Sequence, residues 1–335
     1  MPKGTDMTRR FKILIVNNLN PGWPASDIDW SRRMVRQLSG AFKLNGWKHV
    51  ALEVFESLDA LAPYDPREWL IWNWCEELGG QPWTDAAAAA EMEARGFAFT
   101  GSAPDVLAFA MDRENIKARL RAHGLPTLPA RRLTTPQLAA EWMTFPAIVK
   151  GCTQHGSFGI EPEAVVHTTA QLADRIAWLR AELDCDALVE PFLDTREFHV
   201  AVLGNGDARA LPPVEYDYGA FADPEQRIFA YSYKHDETAY GYHAVKMRSP
   251  APQDKPGWRA RLEEVGLATY KAFGLTDYGR IDLRMLGDEP QVLDVNPNCD
   301  IDFTSALMTS AKAEGLAYHD VVAEIVGHAA ERMPG

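Results

Sequence analysis

Gly279 to Asp302 reads GRIDLRMLGDEPQVLDVNPNCDID. From Gly279 to Leu286 the residues alternate, with Ile281, Leu283 and Met285 on one side and Arg280, Asp282 and Arg284 on the other. That period of two is the mark of a strand. Gly287, Asp288 and Glu289 carry turn chemistry, and Gln291 to Val295 runs back with Leu293 and Val295 apolar. A three-residue turn that makes Leu286 oppose Pro290 predicts Asp282 across from Asp294 and Arg280 across from Asn296, all on one face. Like charges directly opposed across strands destabilise a hairpin. A divalent cation between them removes that penalty, and oxygen ligands from Asp and Asn suit Mg²⁺ or Mn²⁺ rather than zinc. The alternative for this segment alone is a solvated hairpin with charged outer residues.

Upstream, FPAIVKGCTQHGSFGI, Phe145 to Ile160, is an apolar strand ending in Lys150, followed by a polar loop with Gly156, Ser157 and Gly159. A strand lysine beside a glycine-containing loop suits polyphosphate, because backbone N–H groups approach only where side chains are small and the ammonium neutralises charge. The spacing is neither that of the P-loop nor that of the dinucleotide fingerprint. Further on, ALVEPFL, Ala187 to Leu193, is a strand with Glu190 near its end, and REFHVAVLG places Glu197 inside another.

Taken together, Lys150, the GSFGI loop, Glu190, Glu197, the Arg280/Asp282 strand and DVNPN, Asp294 to Asn298, resemble in order and spacing the ATP-grasp ligases of the D-alanine:D-alanine ligase type. MDRENIKARLRAHGLPTLP, Met111 to Pro129, is similar to that family's first central-domain helix, and IFAYSYKHDETAYGYHA, Ile228 to Ala244, to its mobile lid. The likeness covers roughly residues 70 to 325. It implies an α/β fold of three domains that grips ATP: an N-terminal, Rossmann-like parallel-sheet domain over 1–101, a central lobe over 102–190 and a C-terminal catalytic lobe over 191–335.

The same resemblance implies roles position by position. Lys150 would meet the ATP phosphates, as would Arg113, which stands where the family often has lysine, and Gly156 with Ser157 would form the phosphate loop. Glu190 and the backbone through Phe192 and Leu193 would hold adenine, and Glu197 the ribose hydroxyls. Lys234 in the lid corresponds to a γ-phosphate lysine; Asp282, Asp294 and Asn296 would hold two Mg²⁺ ions. Arg280 would stabilise a negative tetrahedral intermediate, with Lys234 and Ser157 beside it as catalytic groups. The implied chemistry is ATP-dependent joining of a carboxylate to an amine, both small molecules and amino acids by family likeness, through an acyl phosphate. A homodimer is implied too.

Departures from the family concern the substrates. The usual metal glutamate is Asp294, one methylene shorter. After Asn296 the chain reads Pro297-Asn298-Cys299-Asp300-Ile301-Asp302, where the family has a Pro-Gly-Met-Thr type turn that helps to hold a carboxylate. Two acids there disfavour an anionic acceptor held in the usual way. After the first strand, FKILIVNN, comes LNPGWPASDIDW in place of the Gly-Gly-x-Ser-x-Glu motif. ATP chemistry therefore carries over and D-alanine specificity does not. An ATP-grasp enzyme of another branch, peptide-modifying or carboxylating, and a nucleotide-binding protein without turnover are the other readings.

Candidate substrate residues are Glu76, His235, Asn298 and Asp300. Glu76 closes the stretch WLIWNWCE at the carboxyl end of a strand, where α/β sheets bind ligands. It either holds a substrate ammonium beside a tryptophan wall or caps a turn. His235 either approaches the reacting phosphate beside Lys234 or is a solvated lid residue; His155 is read as a solvated loop histidine. The four cysteines form no CxxC pair, which argues against a zinc or disulfide framework, and Cys299, next to the expected metal strand, is read as a small buried residue rather than a nucleophile because no partnered histidine or triad stands nearby.

A chain of 335 residues fits two or three domains, and its net charge of −13 argues against nucleic acid or an anionic membrane as partner. MPKGTDMTRR lacks the apolar core of a signal peptide and no apolar run reaches membrane-span length, so a cytoplasmic protein is expected, its first residues mobile and Met7 an alternative start. Strands are expected at Phe11 to Asn17 and Trp69 to Trp74, and helices at Trp30 to Leu44, Thr84 to Arg95, Met111 to His123 and Ala170 to Leu183. Pro212 to Pro256 reads as an insertion.

Overall fold

The computed structural model describes residues 11–252 and 255–334; the alternative start expected at Met7 lies outside them. Near the N-terminus Lys12–Asn18 lies between His49–Val54 and Trp69–Trp74 in a three-stranded parallel sheet. Its sequence KILIVNN is nearly continuous in apolar residues because both faces are covered: Ile13 and Ile15 enter one core, Leu14 and Val16 another. The strand His49–Val54 escaped the sequence reading because it is a half-exposed edge whose alternation is weak. Helix Ala25–Leu44 starts five residues before the expected Trp30, right after Pro24, because its polar first turn carries no apolar period.

The second sheet is antiparallel, with Ala187–Pro191 between Arg131–Leu133 and Ala147–Gly151, and Val165–Val166 at the far edge. Helix Thr169–Leu183 covers it through Leu172, Ile176 and Leu179. The third sheet runs Lys246–Arg248, Val214–Asp217, Glu197–Leu203, Tyr278–Leu286, Glu289–Pro297, all antiparallel, with Arg209–Ala210 added to Glu197–Leu203. Two of its strands therefore come from the stretch read as an insertion. Helix Trp258–Phe273 backs this sheet, and helix Arg113–Ala122 joins the same core through Ile116 and Leu120. The last helix, Tyr318–Ala330, returns to the first core beside Ile13, Ile15 and Trp72.

The hairpin Tyr278–Leu286/Glu289–Pro297 keeps the expected pairs by a different route. Leu286 opposes Glu289 across a two-residue loop, Gly287-Asp288, not Pro290 across three. The register then shifts between Asp282 and Leu283: Leu283 faces Val292, Asp282 faces Asp294 and Leu293 is the extra residue. A bulge sets two residues against one and re-aims side chains. Val292 and Val295 point into the core with Ile281 and Leu283, whereas Leu293, expected on that apolar face, lines the cavity on the other side.

Candidate active site

The cavity between the two antiparallel sheets gathers Arg113, Lys150, Gly156, Ser157, Glu190, Phe192, Leu193, Glu197, Lys234, Arg280, Asp282, Asp294 and Asn296. Every nucleotide, metal and catalytic residue expected from the sequence lines it. Glu76, His235, Asn298 and Asp300 do not.

The phosphate side is built from a loop and two lysines. Gly156 and Gly159 hold φ of +61° and +70°, and Ser157 holds +65°, a conformation that costs a non-glycine residue energy. A Cβ on Gly159 would come within 2.6 Å of Leu183, whereas one on Gly156 would meet nothing within 4 Å, leaving its backbone open to a ligand. Asp112 caps helix Arg113–Ala122 by accepting from the Glu114 N–H at 2.8 Å, and the Arg113 N–H donates to the loop carbonyl of Cys152 at 3.0 Å. The helix start is thus tied to the loop.

Glu190 is fully buried between two ammonium groups, with Lys117 2.6 Å from Oε1 and Lys150 3.0 Å from Oε2. Burial by itself would raise its acid, but the two lysines hold it ionised, below the ordinary carboxylate range. The carboxylate expected to meet adenine therefore also fixes the lysine expected to meet phosphate. Lys117 was missed, although it stands four residues after Arg113 on one helical face.

Cross-strand register builds the next layer. Arg284 pairs with Glu197 and Asp282 with His199. The Glu197 carboxylate accepts from Arg284 at 2.8 Å, Tyr218 at 3.1 Å and His199 Nε2 at 3.2 Å. Burial works against its ionisation, and Arg284 and His199 overcome this, holding it far below the usual range. His199 Nδ1 lies 3.5 Å from Asp282. His199 and Arg284 were not singled out, yet each is two residues from an expected site residue and so on its face of the strand.

At the hairpin, Asp282 accepts from Arg280 at 2.7 and 3.0 Å and from Asn296 Nδ2 at 3.0 Å, and Asp294 accepts from Arg113 at 3.1 Å. Burial would push Asp294 up; Arg113, then His155 and Lys150, bring it down to about 2. Among the described residues no three His, Cys, Asp or Glu side chains form a metal group. Two carboxylates with the Asn296 amide oxygen, which takes no hydrogen bond from a described residue, are still an oxygen donor set that fits Mg²⁺, an ion that keeps waters and phosphate oxygens as its remaining ligands. Arg113 thus reaches the Asp294 carboxylate and the carbonyls of Gly151 and Gln154.

The segment expected to form a lid, residues 228–244, is tied down more than its composition suggested. Ile228 and Ala230 are buried with Ile160 and Phe192, Tyr233 stacks on Phe221 at 5.3 Å, and Ser232 bonds Glu161 through N–H and hydroxyl at 2.9 and 2.6 Å. Lys234 lies 4.5 Å over the ring of Phe229, and burial followed by the Arg280 charge lowers its pKa to about 8.

The expected substrate residues scatter. Asn298 takes φ of +52° and its Oδ1 accepts from the Ser102 N–H at 2.8 Å, tying a hairpin end to the chain below. His235 is exposed and packs 4.4 Å from Tyr231. Asp300 and Glu76 are exposed carboxylates. Partial withdrawal from water among its neighbours, then the charges of Asp300, Asp85 and Glu77, push the Glu76 pKa upward, and solvent access screens part of that push. Cys299 is buried beside Arg280, and burial lifts its thiol to about 12, so it stays protonated. His155, expected to be solvated, is partly buried and lies 3.0 Å from the Met111 carbonyl, to which its Nε2 donates.

Residues 127–327 match the family described as D-ala D-ala ligase C-terminus. A D-alanine–D-alanine ligase of Janthinobacterium sp. is 30% identical over 282 residues, covering 79% of this chain and 83% of that protein. The uncharacterized protein y4sG of Sinorhizobium fredii is 26% identical over 331 residues, 96% of this chain and 95% of its own. The crystal structure of the Bacillus anthracis D-alanine–D-alanine ligase complexed with ATP superposes with a TM-score of 0.72 at 18% identity, over 96% of this chain and 98% of that one, which is a likeness of fold. With the family match over the catalytic half and the cavity residues in place, the chain belongs to the D-alanine–D-alanine ligase family and is an ATP-dependent carboxylate–amine ligase of the ATP-grasp fold.

Proposed function

We propose that this enzyme joins a small carboxylate to an amine other than a second D-alanine, with Mg²⁺ and ATP bound between the two antiparallel sheets. The observation that supports this most is the convergence of Arg113, Lys150, Lys234, Arg280, Asp282, Asp294 and Asn296 on one cavity while the neighbouring acids Glu76 and Asp300 stay open outside it. Lys150, Ser157 and the Gly156 backbone would meet the phosphates, and Phe192, Leu193 and Leu293, which line the same cavity, would supply apolar walls for a base. A divalent cation on Asp282, Asp294 and Asn296 would offset phosphate charge.

In the reaction, an oxygen of the donor carboxylate bonds to the γ-phosphorus as the bond to ADP breaks, giving an acyl phosphate. The amine nitrogen then bonds to the carbonyl carbon, Arg280 stabilises the oxyanion, and phosphate leaves with the carbon–oxygen bond as the amine loses a proton. Lys234 neutralises the moving phosphoryl group, and the lid from Ile228 to Ala244 keeps water from the acyl phosphate. We divide the chain for this purpose into a substrate domain over 1–101, a central lobe over 102–190 and a catalytic lobe over 191–335. Family likeness supports a cytoplasmic homodimer, which sedimentation would check.

Glu76 and Asp300 favour an acceptor presented through its ammonium without a carboxylate beside Asp300, since two anions repel. The test is ADP release with ATP, Mg²⁺ and single or paired amino acids and amines, the products read by mass spectrometry. ADP release that requires an amine, with little D-alanyl-D-alanine from D-alanine alone, is expected. Robust dipeptide formation from D-alanine would overturn the substrate assignment, and nucleotide binding without turnover under any pair would overturn the ligase assignment. The intact Arg280, Asp282, Asp294 and Asn296 set speaks for turnover, because a passive binder has no need of it.

A further inference from the structure

The carboxylate of Glu197 is almost fully engaged before any ligand arrives. A carboxylate offers about four lone-pair positions. On Oε2, Arg284 Nη2 and Nε donate at 2.8 and 3.1 Å and the Tyr218 hydroxyl at 3.1 Å. On Oε1, His199 donates through Nε2 at 3.2 Å; the direction is fixed because a carboxylate has no proton to give. Two of those positions belong to each oxygen, so the three donors on Oε2 share its pair and one lone pair remains, on Oε1. The arrangement is stiff, since Arg284 also donates to the carbonyls of Leu193 and Arg227 and is 3% exposed, while both Arg284 and Glu197 line the cavity.

A ribose presents two neighbouring hydroxyls, and a carboxylate with both oxygens free can hold both. From the lone-pair count we infer that this enzyme reads only one of the two ribose hydroxyls of its nucleotide, and that Arg284, by occupying Glu197 Oε2 from the cavity side, is the specificity-determining residue. The inference rests on the reading of Glu197 as the ribose carboxylate. Arg284 acts through Glu197 and through the backbone of Leu193 and Arg227, so its removal should change which hydroxyls matter rather than abolish nucleotide binding.

The test is calorimetric titration of the Mg²⁺-loaded protein with ADP, 2′-deoxy-ADP and 3′-deoxy-ADP, a binding readout independent of turnover. Loss of a hydrogen bond to a charged group weakens binding roughly tenfold or more. The wild-type protein should show that penalty for one deoxy nucleotide and less than about a twofold change for the other. In Arg284→Met, and in Arg284→Gln, which keeps amide donors for the two carbonyls, both deletions should become costly. Similar penalties for both in the wild-type protein would overturn the inference. No penalty for either would instead remove Glu197 from the ribose site, a different failure. If a variant that keeps the wild-type circular dichroism and melting still ignores one hydroxyl, Arg284 is not the determinant.

Discussion

The nucleotide side and the substrate side of this enzyme are built by different means. On the nucleotide side charges are satisfied within the protein: Glu190 between Lys117 and Lys150, Glu197 among Arg284, Tyr218 and His199, Asp294 on Arg113. On the proposed substrate side Glu76 and Asp300 are open, and Asn298 is taken up by Ser102. A site that must meet the same triphosphate every turnover is pre-organised in regular strands, where register sets each partner. The proposed substrate residues lie outside the regular strands, where no neighbouring strand completes their charges.

The strongest way to break this contrast is to disturb the hairpin. Asp294→Asn should fold normally and lose roughly a thousandfold in turnover, because a metal-assisted transition state loses several kcal/mol. Turnover within a few-fold of wild type would show that Asp294 is not at the metal.

The paired interior should also matter to stability. Lys117→Met leaves a buried Glu190 with one cation, and removing one partner of a buried pair costs about 3 kcal/mol or more. A lower urea midpoint together with a raised KM for ATP is the expected pattern. An unchanged midpoint would mean that Lys117 is not part of the charge balance.

Glu76→Gln and Asp300→Asn probe the open side, and should raise KM for the amine severalfold while ADP affinity stays within about twofold. Equal losses for amine and nucleotide would erase the distinction between the two regions.

The smallest effect concerns pH. Lys234 is lowered to about 8 by burial and Arg280, so as pH rises through 8 the unliganded lysine loses its charge. KM for ATP should climb a few-fold between about pH 7 and about pH 9.5, and Lys234→Arg, charged throughout that range, should lack the climb. A wild-type profile as flat as the variant's would take Lys234 out of phosphate binding.

How far the residues spoke for themselves follows from the same contrast. Lys150, Glu190, Glu197, Asp282 and Asp294 were legible because period-two alternation assigns faces within a strand and the family likeness orders the strands. Leu293 was misassigned since a bulge leaves no mark on alternation until the hairpin is paired. Lys117, His199 and Arg284 carried the right spacing, i+4 on a helix or i±2 on a strand, but nothing local said that their partners would be Glu190 and Glu197. The stretch from Pro212 to Pro256 looked like an insertion because its two strands are short and polar, and only the sheet gave them a place beside Glu197–Leu203.

By itself the amino-acid order determined the strands and helices of the nucleotide lobes and the chemical types available at the cavity, because these depend on local periodicity and on side-chain identity. Only the tertiary structure decided that Glu190 holds two lysines, that Glu197 has one lone pair left, and that Asp282 meets Asp294 through a bulge, since the first two join segments tens of residues apart and the third depends on how two neighbouring strands pair. Burial then turned those encounters into fixed charges, because a carboxylate withdrawn from water stays ionised only where another part of the chain brings the cation.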